Sequence, residues 1–106
     1  MIWSDKYNFT QGMIKSFRDK RLRLLWETGK GSKLPADQVK RIMQMLEVID
    51  SAQLVPQDFE FFISWKIHPL KGNFKGYWSV TVKENWRIIF RFDRNNAFDV
   101  DYLDYH

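Results

Sequence analysis

The sequence predicts a small α+β domain, with a short N-terminal strand and two helices packed on a mainly antiparallel sheet that ends in a three-stranded meander. Residues 76–106, GYWSVTVKENWRIIFRFDRNNAFDVDYLDYH, hold three runs of alternating apolar and polar residues. Only Glu84-Asn85 and Arg94-Asn95-Asn96 separate them, the spacing of tight antiparallel turns. Upstream, residues 39–49 repeat apolar side chains at steps of three and four, the period of a helix with one buried face. A chain of 106 residues with 17% aromatic content makes one domain with enough bulky material for a core.

In chain order, residues 1–12 show no usable periodicity and are expected to form a flexible extension ahead of a domain at 13–106. The run IKSF at 14–17 is expected to be the short strand. Asp19 then caps a helix with Leu22, Leu25 and Trp26 on one side and Lys20, Arg21 and Arg23 on the other, ending at Gly29. Pro35 opens a second helix at its first position, with Val39, Ile42, Met43, Leu46 and Ile49 as its apolar stripe. A polar linker at 50–58 leads to FEFFISWKI at 59–67, expected to be a strand with Phe61, Ile63, Trp65 and Ile67 on one face. After the interruption HPLKG, the meander aligns Trp78, Val80 and Val82, then Trp86, Ile88, Phe90 and Phe92, then Phe98, Val100 and Tyr102 on one apolar face. Arg87 and Arg91 fall on the opposite face, so the sheet is expected to have one apolar side and one cationic side.

The absence of cysteine excludes disulfides, thiolate metal sites and cysteine nucleophiles, and fits a reducing compartment. No apolar run approaches the roughly 20 residues needed to span a bilayer, and the N-terminus lacks the order of a signal peptide. A cytoplasmic location without a membrane partner is expected. Residues 1–92 carry 16 Lys and Arg against 9 Asp and Glu, whereas residues 93–106 carry 1 against 4. A basic body favours a polyanionic partner such as RNA, DNA or an acidic protein segment, because binding releases counterions.

The two histidines, His68 and His106, sit at strand ends near cations. Imidazole, with an ordinary pKa of roughly 6.5, both donates and accepts protons at cellular pH. His68 and Lys71 flank a proline, Arg87 lies on a neighbouring strand, and Asp104, Tyr105 and His106 end the chain, so a small sheet has the reach to gather all six. Such a set suits phosphodiester cleavage: cations neutralise charge growing on phosphate, imidazole and carboxylate move protons, and a ring stacks on a base. Arg91 and Lys75 extend it as phosphate-binding candidates. The same residues also fit a surface salt-bridge cluster. No metal or other cofactor is expected, since Asp99 and Asp101 alternate along an exposed strand face and no Gly-rich phosphate loop, G-x-S-x-G or zinc spacing occurs.

These residues carry a resemblance. With MIKSF at 13–17, HPLKG at 68–72, GYWSVTV at 76–82, NWRIIF at 85–90 and DYH at 104–106, the chain from Met13 onward resembles the HigB-type toxins of the RelE/ParE superfamily. The resemblance implies a RelE-like fold and a metal-independent, ribosome-dependent endoribonuclease that cuts mRNA and inhibits translation. It also implies neutralisation by a helix-turn-helix antitoxin of HigA type, through which alone the toxin meets operator DNA. It places the active site on His68, Lys71, Arg87, Asp104, Tyr105 and His106. Asn73, where relatives often carry Asp, and the extension at 1–12 depart from the usual pattern. Two other readings stay open: a ParE-like gyrase inhibitor, and a non-catalytic module that binds an acidic partner.

Overall fold

The computed structural model describes residues 13–105, so the expected extension at 1–12 and the terminal His106 lie outside the described residues. Helix α1, Lys20–Thr28, begins after Asp19, which is itself extended and whose carboxylate accepts hydrogen bonds from the backbone N–H groups of Arg21 and Leu22, at 2.8 and 3.0 Å. It ends at Gly29, whose φ of 79° is left-handed and whose N–H donates to the Leu25 carbonyl. Both ends are those expected from sequence. Since the cap satisfies two N–H groups that the helix leaves unpaired, Asp19→Ala should cost about 1 kcal/mol in chemical denaturation. An unchanged denaturation midpoint would show that water replaces the carboxylate at no cost.

Helix α2, Val39–Ser51, starts later than Pro35. Residues 35–38 form a turn closed by the Gln38 N–H on the Pro35 carbonyl, and the Gln38 side chain leaves the helix end to accept a hydrogen bond from Tyr102. Burial raises the Tyr102 phenol above its usual pKa, which keeps it a donor to Gln38. Ile42, Met45, Leu46 and Ile49 form the buried stripe of α2, while Met43 stays half-buried at its margin.

The strand expected at 59–67 does not form. Two single helical turns, Gln57–Phe59 and Ile63–Trp65, stand there instead. With about three residues per turn, the side chains that face the core recur as buried Phe59, half-buried Phe62 and buried Trp65 rather than at every second position. Phe61 and Ile63, expected to share a buried face with Trp65, are therefore left in solvent.

The sheet runs β1 (His68–Pro69), β2 (Tyr77–Lys83), β3 (Trp86–Asp93) and β4 (Asn96–Asp104), each antiparallel to the next. The strand expected at 14–17 is present as two isolated parallel bridges, Ile14 to Ala97 and Phe17 to Val100, on the free edge of β4. Between them Asp99 takes a φ of 54°, and its N–H donates to Ser16 Oγ at 2.8 Å. This bulge slips the register, so Ala97 and Val100 both face the core while Phe98 pairs with Arg91 on the other side. The expectation that Phe98 shares the face of Val100 and Tyr102 is thus overturned. α1 and α2 cover the first face, burying Leu22, Leu25, Ile42 and Leu46 against Val80, Ile88, Phe90 and Val100.

Candidate active site

The second face of the sheet is not simply cationic. Ile89, between Arg87 and Arg91 in β3, is buried there with Leu70 and Tyr77, and Phe74, Leu103 and Tyr105 pack around them. The turn after β1 builds this cover. Leu70 N–H donates to the Tyr77 carbonyl at 2.9 Å, and the chain then loops through the single helical turn Gly72–Phe74. Gly72 has a φ of 65°, which a side chain would strain even though open space surrounds the position. The loop lays the Phe74 ring edge-on against Tyr77 and Tyr105, with centroids 6.0 and 6.1 Å apart.

The polar candidates stand in different relations to this apolar floor. Lys71 is exposed at the start of the turn that carries Phe74, and has no ion-pair partner among the described residues. Tyr105 is fixed twice, by its ring against Phe74 and by its N–H donating to the Asn85 carbonyl at 2.8 Å. Asp104 ends β4 opposite Trp86 and is exposed. Arg87 stands between Thr81 and Leu103 in register, and its Nη1 donates to the Glu84 carbonyl at 2.6 Å. Its Nε is buried without a partner, so the guanidinium is aimed by the β2–β3 turn while part of its donor capacity stays unused.

His68 sits on β1, with Nδ1 2.8 Å from the Lys66 carbonyl oxygen. A carbonyl only accepts, so this contact puts the proton on Nδ1 and leaves Nε2 as the acceptor of the neutral ring. Lys66 is held for this contact in a left-handed conformation, φ 52°.

Two candidates fall elsewhere. Arg91 lies four residues along β3 from Arg87, roughly 13 Å at strand rise, on the far side of Ile89. Its guanidinium lies over the Tyr77 ring and 4.0 Å from Asp99, beside a cavity of about 440 Å³ lined by Gly76, Phe92 and Phe98. Lys75 is exposed at the end of the Phe74 turn, next to Gly76. The structure joins the turn that starts at Lys71 to Tyr105 through the Phe74 ring, and sets His68 in register with Ser79 and Ile89 on the face that Arg87 shares with Leu103. Asp104, opposite Trp86, falls on the helix-covered face, where Trp86 stacks on Tyr102, and Arg91 stands further along β3, opposite Tyr77. Sequence reasoning missed the floor itself, although an isoleucine between two arginines on the polar face was its visible sign. Among the described residues no group of three His, Asp or Glu is placed to hold a metal ion, and no helix is long and apolar enough to cross a membrane.

A helix pair on one face of an antiparallel sheet, with cations and a tyrosine around an open apolar floor on the other, defines a RelE-like α+β domain. The same fold recurs in the YoeB dimer from Staphylococcus aureus, with a TM-score of 0.52 over 91% of this chain and 98% of that one, at 19% identity. The family described as the RelE-like toxin of type II toxin-antitoxin system HigB matches residues 15–106, and the chain belongs to it. Endoribonuclease HigB of Proteus vulgaris is 47% identical over 94 residues, covering 89% of this chain and all of that protein. Toxin HigB-1 of Vibrio cholerae serotype O1 is 32% identical over 95 residues, covering 89% of this chain and 98% of that one.

Proposed function

We propose that this toxin, an endoribonuclease like its Proteus relative, cuts mRNA on the translating ribosome through the residues gathered at the end of the meander. The reading is supported by the apolar floor of Leu70, Phe74 and Ile89, with Tyr105 packed on Phe74, Lys71 at the start of the Phe74 turn, and Arg87 in register with Leu103 on the same face. In the proposed reaction the 2′-OH of one nucleotide attacks its own 3′-phosphate. A P–O2′ bond forms, the P–O5′ bond breaks, and the products are a 2′,3′-cyclic phosphate and a 5′-OH. The 2′-OH proton passes to a base and the departing oxygen takes one from an acid; Asp104, His106 and the free Nε2 of His68 are the groups for these transfers. Lys71 and Arg87 stabilise the negative phosphorane, and Tyr105 orients a base with its ring. Arg91 and Lys75 guide the flanking phosphates. The nucleophile is supplied by the substrate, so the scheme uses no metal.

The site is an open surface with little depth to hold RNA in line, and alignment of reacting groups contributes several orders of magnitude in rate. The ribosome is proposed to supply that alignment in the cytoplasm. Purified protein is therefore expected to leave naked mRNA largely intact and to cut it when ribosomes are translating, as read by primer extension. Efficient cleavage of protein-free RNA at any codon would refute ribosome dependence.

As a type II toxin, the protein has an antitoxin partner. We propose a helix-turn-helix protein of HigA type that blocks access to the ribosome and carries the toxin to operator DNA. The domain is proposed to run from 13 to 106, which accords with the 94 aligned residues that cover the whole Proteus protein.

A further inference from the structure

The loop between α2 and β1 exposes Leu54 and, more fully, two further large apolar side chains: Phe61 is 86% exposed and Ile63 85% exposed. Neither serves the core, yet Phe61 is not loose. Its ring stands edge-on to Phe62, centroids 5.3 Å apart, and Phe62 lies flat on Trp65 at 4.0 Å and 10°. Trp65 in turn meets Phe59, which stacks on Phe90 in the centre of the sheet. A ladder of rings thus runs from the core to one exposed ring. The loop is also pinned from the side, because Arg41 Nη2 donates to Ser64 Oγ at 3.2 Å.

The loop ends against the candidate site. Lys66 N–H donates to the Ile63 carbonyl, and the Lys66 carbonyl accepts from His68. Two hydrogen bonds therefore connect the exposed apolar residues to the imidazole. Lys66 itself is exposed, whereas the carboxylate of Asp58 is turned back on the N–H groups of Gln53 and Leu54. Phe61 is preceded by exposed Glu60 and followed along the chain by exposed Lys66, His68 and Lys71. A held ring with cations further along the same segment matches single-stranded RNA, whose unpaired bases stack on aromatic faces while cations meet the phosphates.

We propose that this loop is a second RNA subsite, in which Phe61 stacks on an unpaired mRNA base flanking the cut and Lys66 contacts its phosphate. This rests on the nuclease reading above. Stacking of one base is worth about 1–3 kcal/mol, or roughly 5- to 150-fold in binding.

The test uses the full chain on ribosomes programmed with mRNA. Phe61→Ala is expected to raise the protein concentration for half-maximal cleavage about 5- to 150-fold without changing the melting temperature, since the ring is in solvent. Phe61→Tyr should restore cleavage and Phe61→Leu should not, because a plain apolar contact accepts leucine whereas stacking needs a ring. Rescue by leucine, or wild-type behaviour of Phe61→Ala, overturns the subsite while leaving the nuclease intact. Weakened sedimentation of Phe61→Ala with ribosomes lacking mRNA would move the contact to the ribosome and also overturns it. A wild-type chain that spares ribosome-bound mRNA overturns the nuclease reading, and the subsite with it.

Discussion

Lys71→Ala is expected to lower cleavage of ribosome-bound mRNA by about 10²–10³-fold, the usual effect of removing one group that stabilises charge developing in a transition state. The expected change in melting temperature is small. Lys71 is exposed, no ion pair ties it to the described residues, and only its backbone carbonyl serves the Gly72–Phe74 turn. Arg87→Ala should reduce cleavage to a similar degree but also lower stability, because its guanidinium holds the Glu84 carbonyl at the β2–β3 turn. Arg87→Lys keeps the charge and loses the fork, so it should recover part of the activity and little of the turn contact. Primer extension and thermal melting of the three variants separate these effects. Undiminished cleavage by Lys71→Ala would remove its charge from the mechanism.

Phe90→Ala should unfold the domain at temperatures where the parent is folded. Phe90 is fully buried in β3, between β2 and β4, and stacks on Phe59 at 5.5 Å. Truncating such a ring costs about 3–5 kcal/mol, against a total stability of about 5–15 kcal/mol for a domain of this kind. At about 4–8 °C per kcal/mol, the melting temperature should fall by roughly 12–40 °C. Growth arrest should then disappear along with antitoxin binding. Phe61→Ala, in the same aromatic ladder but in solvent, serves as the control that leaves melting unchanged. A drop of only a few degrees for Phe90→Ala would mean that helices and sheet repack around the missing ring.

The differences between expectation and structure have one physical origin. Alternation of apolar residues reports a strand only where a neighbouring strand pairs with it. FEFFISWKI alternates, but the chain there turns twice, and the three-residue period of those turns directs Phe59, Phe62 and Trp65 to the core instead. A single positive φ at Asp99 moves Phe98 across the sheet while its neighbours Ala97 and Val100 stay in the core. Neither event leaves a trace in periodicity, because both depend on contacts with distant parts of the chain: Ser16 for the bulge, Arg41 for the loop.

What local chemistry controls was legible from residues alone. Asp19 and Gly29 bound α1 because a carboxylate pairs free N–H groups and glycine tolerates a left-handed end. The meander follows from strict alternation between short turns, and the family from the motifs at 68–72, 85–90 and 104–106. The chain also showed which side chains carry chemistry, since imidazoles, carboxylates and cations have their properties wherever they stand. Their arrangement was decided by packing between residues far apart in sequence. Burial of Ile89 under Leu70 and Phe74, a tertiary contact driven by removing apolar surface from water, brings the turn starting at Lys71 against Tyr105.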